Sequence, residues 1–187
     1  MATSEQVSIL AFAGSLRKDS YNKSLLRAAR DLAPETMKVE FFDLEGIPFF
    51  NADVEAEGDP DYVKKFKKAI RKADGILVAT PEYNYGMSSV VKAAIEWSSR
   101  PPEDAPIEEK PVGIMGASTS LTGTARSQNH LRQSFAYTNS YCMPYPEILV
   151  YRADEKFDDE GNLTDEETLD FLETYMEAFH EWVLKFK

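Results

Sequence analysis

The sequence predicts an α/β fold: a five-stranded parallel sheet of order 2-1-3-4-5 with helices on both faces. Three observations carry that reading. Five short runs rich in apolar and β-branched residues, at 7–13, 38–44, 75–80, 112–117 and 147–151, have the length of strands in a covered sheet. Between them lie segments with helical spacing of apolar side chains, and such alternation builds a parallel sheet through right-handed crossovers. Polar loops follow the first, third and fourth runs. If strand one lies between strands two and three, these loops meet outside the carboxyl ends of the strands, where open α/β sheets bind ligands.

The first run, with Val7, Ile9, Leu10, Phe12 and Ala13, ends in the turn GSLRKDSYN. Gly14 lets the chain leave the strand sharply, and Ser15, Arg17, Ser20 and Asn22 offer hydroxyl, guanidinium and amide hydrogens. A helix over 23–33 follows, with Leu25, Leu26, Ala29 and Leu32 on one side. Strand, donor-rich turn and helix N-terminus aim N–H groups at an anion. The turn lacks the second glycine and Lys-Ser/Thr pair of a P-loop, and the glycines of a dinucleotide fingerprint. Hydroxyls and one arginine in their place suit a terminal monophosphate, which can be surrounded, better than a pyrophosphate. The alternative is a surface turn whose serines cap the helix.

Farther along, residues 45–58 form a polar connection carrying an exposed pair, Phe49 and Phe50. Asp59 stands as an N-cap before Pro60 at the first helical position. In that helix Val63, Phe66, Ala69, Ile70 and Ala73 face the core, while Lys64, Lys65, Lys67, Lys68, Arg71 and Lys72 make a solvated basic face. The loop PEYNYGM follows the third strand, and a helix over 88–98 offers Val90, Val91, Ala94, Ile95 and Trp97 to the core. Four prolines within 100–111 make that stretch a loop. The fourth strand leads into STSLTGT and a helix over 125–137, and a proline-rich irregular stretch containing Cys142 precedes the fifth strand. Thr164 forms a capping box with Glu167 ahead of the last helix. That helix carries Leu169, Leu172, Met176, Phe179 and Val183 on one side and Phe171, Tyr175, Trp182 and Phe186 on a second, a width that predicts contact with a neighbouring subunit. The acidic segment 153–163 is no calcium loop, because Gly161 at the sixth position puts Lys156 where a carboxylate must stand.

Composition narrows the function. At 187 residues the chain is expected to form one domain over 1–187. A net charge of -11 argues against nucleic acid as a partner. Cys142 is the only cysteine, which excludes an internal disulfide and a cysteine-based zinc cluster. No apolar run reaches membrane-span length and no basic leader precedes the first strand, so a cytoplasmic protein without membrane contact is expected. Cys142 reads as a buried thiol and His130 as a helix histidine already satisfied by its surroundings.

PEYNYG offers two aromatic faces, an amide, and a glycine that lets main chain come close to a ligand, which is what a planar heterocycle requires. Tyr83 and Tyr85 read equally as half-buried aromatics at the sheet edge. Beside a monophosphate site, a flat ring with a short phosphorylated tail is the economical ligand, and FMN fits that description.

The motifs GSLRKDSYN, TPEYNYGMSSVVKAAIEWSSRP and GTARSQNHLRQ together resemble the NAD(P)H-dependent FMN reductase family, a flavodoxin-like group that includes quinone, azo-dye and chromate reductases. The resemblance spans nearly the whole chain. It implies FMN as cofactor, its phosphate held by Ser15, Arg17, Ser20 and Asn22, with Tyr21 also among the cofactor-binding residues. The ring system would be held by Pro81, Glu82, Tyr83, Asn84, Tyr85 and Gly86, largely through main chain, with Ser118 closing the site. It implies NADPH or NADH as donor, a quinone or similar small acceptor, ping-pong hydride transfer without a protein acid or base, and a homodimer or homotetramer. Arg17 and Arg100 are the candidates for touching the nucleotide or an anionic acceptor, Arg100 reading equally as a salt-bridge residue at the end of its helix. Arg126 and Glu147 lie in segments that the family uses between subunits. Asp19 and the pair Gly86-Met87 depart from the family pattern. The competing readings are an electron-carrier flavoprotein docking on a protein partner, and a flavin-free relative keeping only the fold.

Overall fold

The computed structural model describes residues 5–187. β1 (Val7–Ala13), β2 (Met37–Phe41), β3 (Gly75–Ala79) and β4 (Pro111–Ala117) form the predicted parallel order, 2-1-3-4. The period of two sorts their apolar residues. Ile9, Ala11, Leu77 and Met115 pack against α1 (Tyr21–Asp31) and α6 (Glu166–Leu184). Leu10, Phe12, Ile76, Val78 and Ile114 pack on the other face against α3 (Asp61–Lys72), α4 (Ser89–Ser98) and α5 (Ala125–Tyr137).

The fifth position departs from expectation. Two short strands occupy it end to end, β5 (Tyr141–Cys142) opposite Pro111 and Val112, and β6 (Ile148–Val150) opposite Met115 to Ala117. Met143 still donates its N–H to the Val112 carbonyl at 2.8 Å, and Pro144 to Pro146 leave the sheet after it, since prolines cannot donate to a ladder. The carbonyl of Ile114, facing the gap, accepts instead from the Tyr175 hydroxyl of α6 at 3.0 Å. Burial pushes the pKa of that phenol up, so it remains a donor.

Several local expectations are corrected. The connection 45–58 contains a short exposed helix, α2 (Ala52–Glu57), and Phe50 is not free but packs edge-on against Trp97 at 5.1 Å. Pro60, not Asp59, occupies the N-cap of α3. Asp59 instead pairs at 2.6 Å with Lys67, whose side chain is only 4 % exposed, so Lys67 leaves the solvated basic face. Most of the second apolar side of α6 is used within the chain: Tyr175 is buried, Trp182 donates to the Tyr141 carbonyl, and Phe186, just beyond the helix, stacks on Tyr141. Only Phe171 of that set, at 43 % exposed, remains both on the helix and open to a neighbour.

Asp165, not Thr164, caps α6, accepting from the Thr168 N–H at 3.2 Å. The hydrogen bond from Lys156, then that from Thr168, holds its carboxyl below the ordinary carboxylate range. A depressed folded-state pKa contributes stability above the unfolded value of ~3.9 and loses it as pH falls through the folded value. Asp165→Asn, which keeps a capping oxygen, is therefore expected to be destabilised near neutral pH and to converge on the wild type in acid. Urea denaturation at several pH values checks this.

Candidate active site

The three polar loops do meet. At the end of β1, the Gly14 N–H donates to the Ala79 carbonyl at 2.8 Å, drawing the first and second loops together. A Cβ at Gly14 would lie 2.4 Å from Val91 and 2.9 Å from Pro81, so the requirement here is close approach as much as a sharp exit. Ser15 and Ser20 are buried, and the N–H groups of residues 15–20 find no acceptor among the described residues. Ser20 also caps α1, accepting from the Asn22 N–H at 3.2 Å, so capping and anion binding share one serine. Its hydroxyl hydrogen remains free to donate. Arg17 lies on the rim, its guanidinium 5.5 Å from the Tyr21 ring centroid.

Asn22 lines the cleft and also joins two of the loops. Its amide is buried and spans to β4, donating to the Ala117 carbonyl at 3.0 Å and accepting from the Ala117 N–H at 3.0 Å. It acts as a strut between the first and third loops.

In the second loop, Tyr83 and Gly86 exchange main-chain hydrogen bonds of 3.0 and 2.9 Å, closing a two-residue hairpin around Asn84 and Tyr85. Both central residues are left-handed, with φ of 50° and 65°. That geometry costs a non-glycine residue about 1–2 kcal/mol, less for Asn, so strain is held at the tip. The Tyr83 hydroxyl reaches Ser15 Oγ at 3.3 Å across the cleft. Glu82 turns its carboxylate to the start of α5, accepting from the N–H groups of Arg126 and Ser127 at 3.0 and 3.4 Å and from Arg126 Nη1 at 3.0 Å.

The third loop contributes Ala117, Ser118 and Thr119. Ser118 is fixed by its N–H to the Val150 carbonyl at 2.9 Å, and its side chain turns toward Ser120. Together the loops enclose a cleft of about 330 Å³ lined by Ser15, Arg17, Ser20, Tyr21, Pro81 and Tyr83, with Asn22, Glu82 and Ser118 also contributing. A larger hollow of about 520 Å³ runs along β6 and α6, but Lys156 and Thr168 there are already joined to Asp165, Thr174 to the Asp170 carbonyl, and the lining adds the carboxylates of Glu147, Glu167 and Asp170. The smaller cleft has the free donors. Ala117 and Thr119 line it without having been expected; adjacency to Ser118 was their only signal.

Arg100 is not brought to this cleft. It lies beyond the far end of α4, holding Glu55 of α2 through three hydrogen bonds of 3.1 to 3.2 Å, which raise its pKa. His130 is exposed on α5 beside Gly86. Cys142 is half-buried against the core, and desolvation pushes its thiol to about 12, a range with no thiolate near neutral pH. Arg126 and Glu147 each have a partner within the chain, Glu82 and Arg132 respectively.

The family model described as NADPH-dependent FMN reductase matches residues 7–155. The chain belongs to that family. An NAD(P)H-dependent FMN reductase of Pseudomonas aeruginosa is 42 % identical over 98 % of this chain and 99 % of its own. A quinone reductase of Escherichia coli K12 is 38 % identical, covering 98 % and 99 %. Among solved structures, the flavoenzyme NAD(P)H:(acceptor) oxidoreductase FerB of Paracoccus denitrificans superposes with a TM-score of 0.88 at 31 % identity, covering 96 % of this chain and 98 % of that one. This FMN reductase is therefore an oxidoreductase that uses NAD(P)H as electron donor and FMN as cofactor, on a flavodoxin-like fold.

Proposed function

We propose that this FMN reductase passes two electrons from NADPH or NADH to quinones and related small acceptors such as azo compounds, chromate or free flavin, in the cytoplasm. The observation that carries the reading is the meeting, across one cleft, of a turn with free N–H and hydroxyl donors and a strained aromatic hairpin. Ser15, Ser20, Arg17 and the N–H groups of residues 15–20 would hold the FMN phosphate, a donor set chemically matched to a monoester. Pro81, Tyr83 and the main chain of residues 83–86 would hold the ring system, with Tyr21 and Ser118 at its sides. Bound FMN supplies hydride acceptance from the nicotinamide and delivery to the acceptor. The chain orients the reactants, narrows water access and places Arg17 at the rim, where an anionic nucleotide arrives. A second copy would find apolar surface at Tyr145, Tyr151 and Phe171 along the outer edge, which supports a homodimer or homotetramer.

Steady-state oxidation of NADPH and NADH with a quinone by the purified chain tests the reading. Turnover without an added reductase is expected, whereas an electron carrier gives none. Arg17→Ala is expected to weaken FMN about tenfold, the loss of one exposed charge-assisted hydrogen bond, while leaving riboflavin, which lacks the phosphate, unchanged. Flavin fluorescence titration reads both. An equal effect on the two ligands would remove Arg17 from the phosphate site.

A further inference from the structure

We propose that Glu82 is a positioning residue that holds the ring-binding hairpin in shape through Arg126 and Tyr85. The proposal rests on the FMN reading above. The Glu82 side chain is only 8 % exposed, and both of its carboxylate oxygens face α5. The helix needs them: its own N-cap, Thr124, makes no capping bond to an N–H, and the Thr124 hydroxyl accepts from Gln128 instead. A carboxylate from another loop thus caps the first amides of α5, where the helix dipole favours negative charge.

The same carboxylate fixes Arg126. Nη1 of that residue donates to Glu82 at 3.0 Å and to the Thr122 hydroxyl at 3.2 Å, and its guanidinium carbon stands 4.1 Å from the centroid of the Tyr85 ring. Tyr85 is 68 % exposed and left-handed, and among the described residues no other ring or cation stacks on it. Two further contacts brace the hairpin on α5: a hydrogen bond of 2.8 Å between the Thr80 and Ser127 hydroxyls at its base, and Gly86 lying against His130. Glu82, Arg126 and Tyr85 therefore form a series linkage from a helix terminus to a strained tip. A groove already in its bound shape spares the ligand the ordering of that tip, which is how such a brace raises affinity.

The test compares FMN with riboflavin, because a defect on the ring side weakens both by one factor while a defect on the phosphate side changes their ratio. Glu82→Ala is expected to raise both dissociation constants about tenfold at an unchanged ratio. Glu82→Gln, which keeps an acceptor for α5 but loses the charge on Arg126, falls between Ala and the wild type. Arg126→Ala added to Glu82→Ala gives no further loss, as expected for members of one chain of contacts. Wild-type affinity for both flavins in Glu82→Ala, a changed ratio, or full additivity with Arg126→Ala would overturn the proposal. Should Glu82→Ala fail to fold by circular dichroism, Glu82→Gln and Arg126→Ala carry the same ratio test. Wild-type protein that binds neither flavin defeats the FMN reading itself, a result distinct from all of these.

Discussion

Asn22→Ala is expected to lower the unfolding free energy by about 2–5 kcal/mol, because two buried main-chain groups lose their partners together. Along β4, Met115 turns its carbonyl toward β3, where it accepts from the Thr80 N–H. Ala117, two residues on, turns its N–H and C=O the same way, but β3 has ended at Ala79 and the chain beyond Thr80 turns off into the second loop. The Asn22 amide supplies both missing bonds. Asn22→Asp retains the acceptor for the Ala117 N–H but sets a carboxylate oxygen against the Ala117 carbonyl, so it too should destabilise. Because this strut also sets the separation of the first and third loops, FMN affinity is expected to fall alongside stability. Urea unfolding measures the first effect and flavin titration the second. A loss below about 1 kcal/mol would mean that water replaces the amide at no great cost.

Gly116→Ala is expected to cost about 3 kcal/mol through overpacking. A Cβ there would stand 2.0 Å from Thr124 Oγ1 and 2.5 Å from the Thr80 carbonyl. The threonine hydroxyl can rotate away, but the carbonyl belongs to the main chain that launches the second loop. Its displacement would also strain the hydroxyl contact between Thr80 and Ser127. For a chain of this length, that cost corresponds to a melting temperature lower by about 6–12 °C in a thermal scan. A variant melting with the wild type would show that the end of β4 moves aside freely.

The sheet was legible because its information is local. The runs at 7–13, 75–80 and 112–117 are apolar and end in turn chemistry, and covered strands need little more than that, while the edge run at 38–44 only alternates loosely. The three polar loops were legible for the same reason, their position following from strand order alone. What escaped notice depended on partners distant in sequence. Lys67 reads as one more cation on a basic helix until Asp59 and Trp97 enclose it. Asn22 reads as a ligand donor, and nothing near it in sequence shows that its amide also bonds Ala117, 95 residues away. Arg100 is equally plausible at a ligand or at Glu55, and only the fold decides. The split fifth strand was hidden because residues 141 and 142 carry too short a pattern to stand out before two prolines. At the helix ends, Thr164 lost to its neighbour Asp165, whose carboxylate binds Lys156 as well as the helix.

The interruption between β5 and β6 bears on the behaviour of the molecule in a crowded solution. A long, flat outermost strand presents a continuous ribbon of unused donors and acceptors, a template for intermolecular cross-β growth. Here that border is cut into pieces of two and three residues, and the buried Ile114 carbonyl of β4, which the gap leaves without a strand partner, is occupied by a phenol from the helix behind. Restoring a continuous border, by replacing Pro144 and Pro146 with β-branched residues, would remove this safeguard and favour fibrous aggregates on heating.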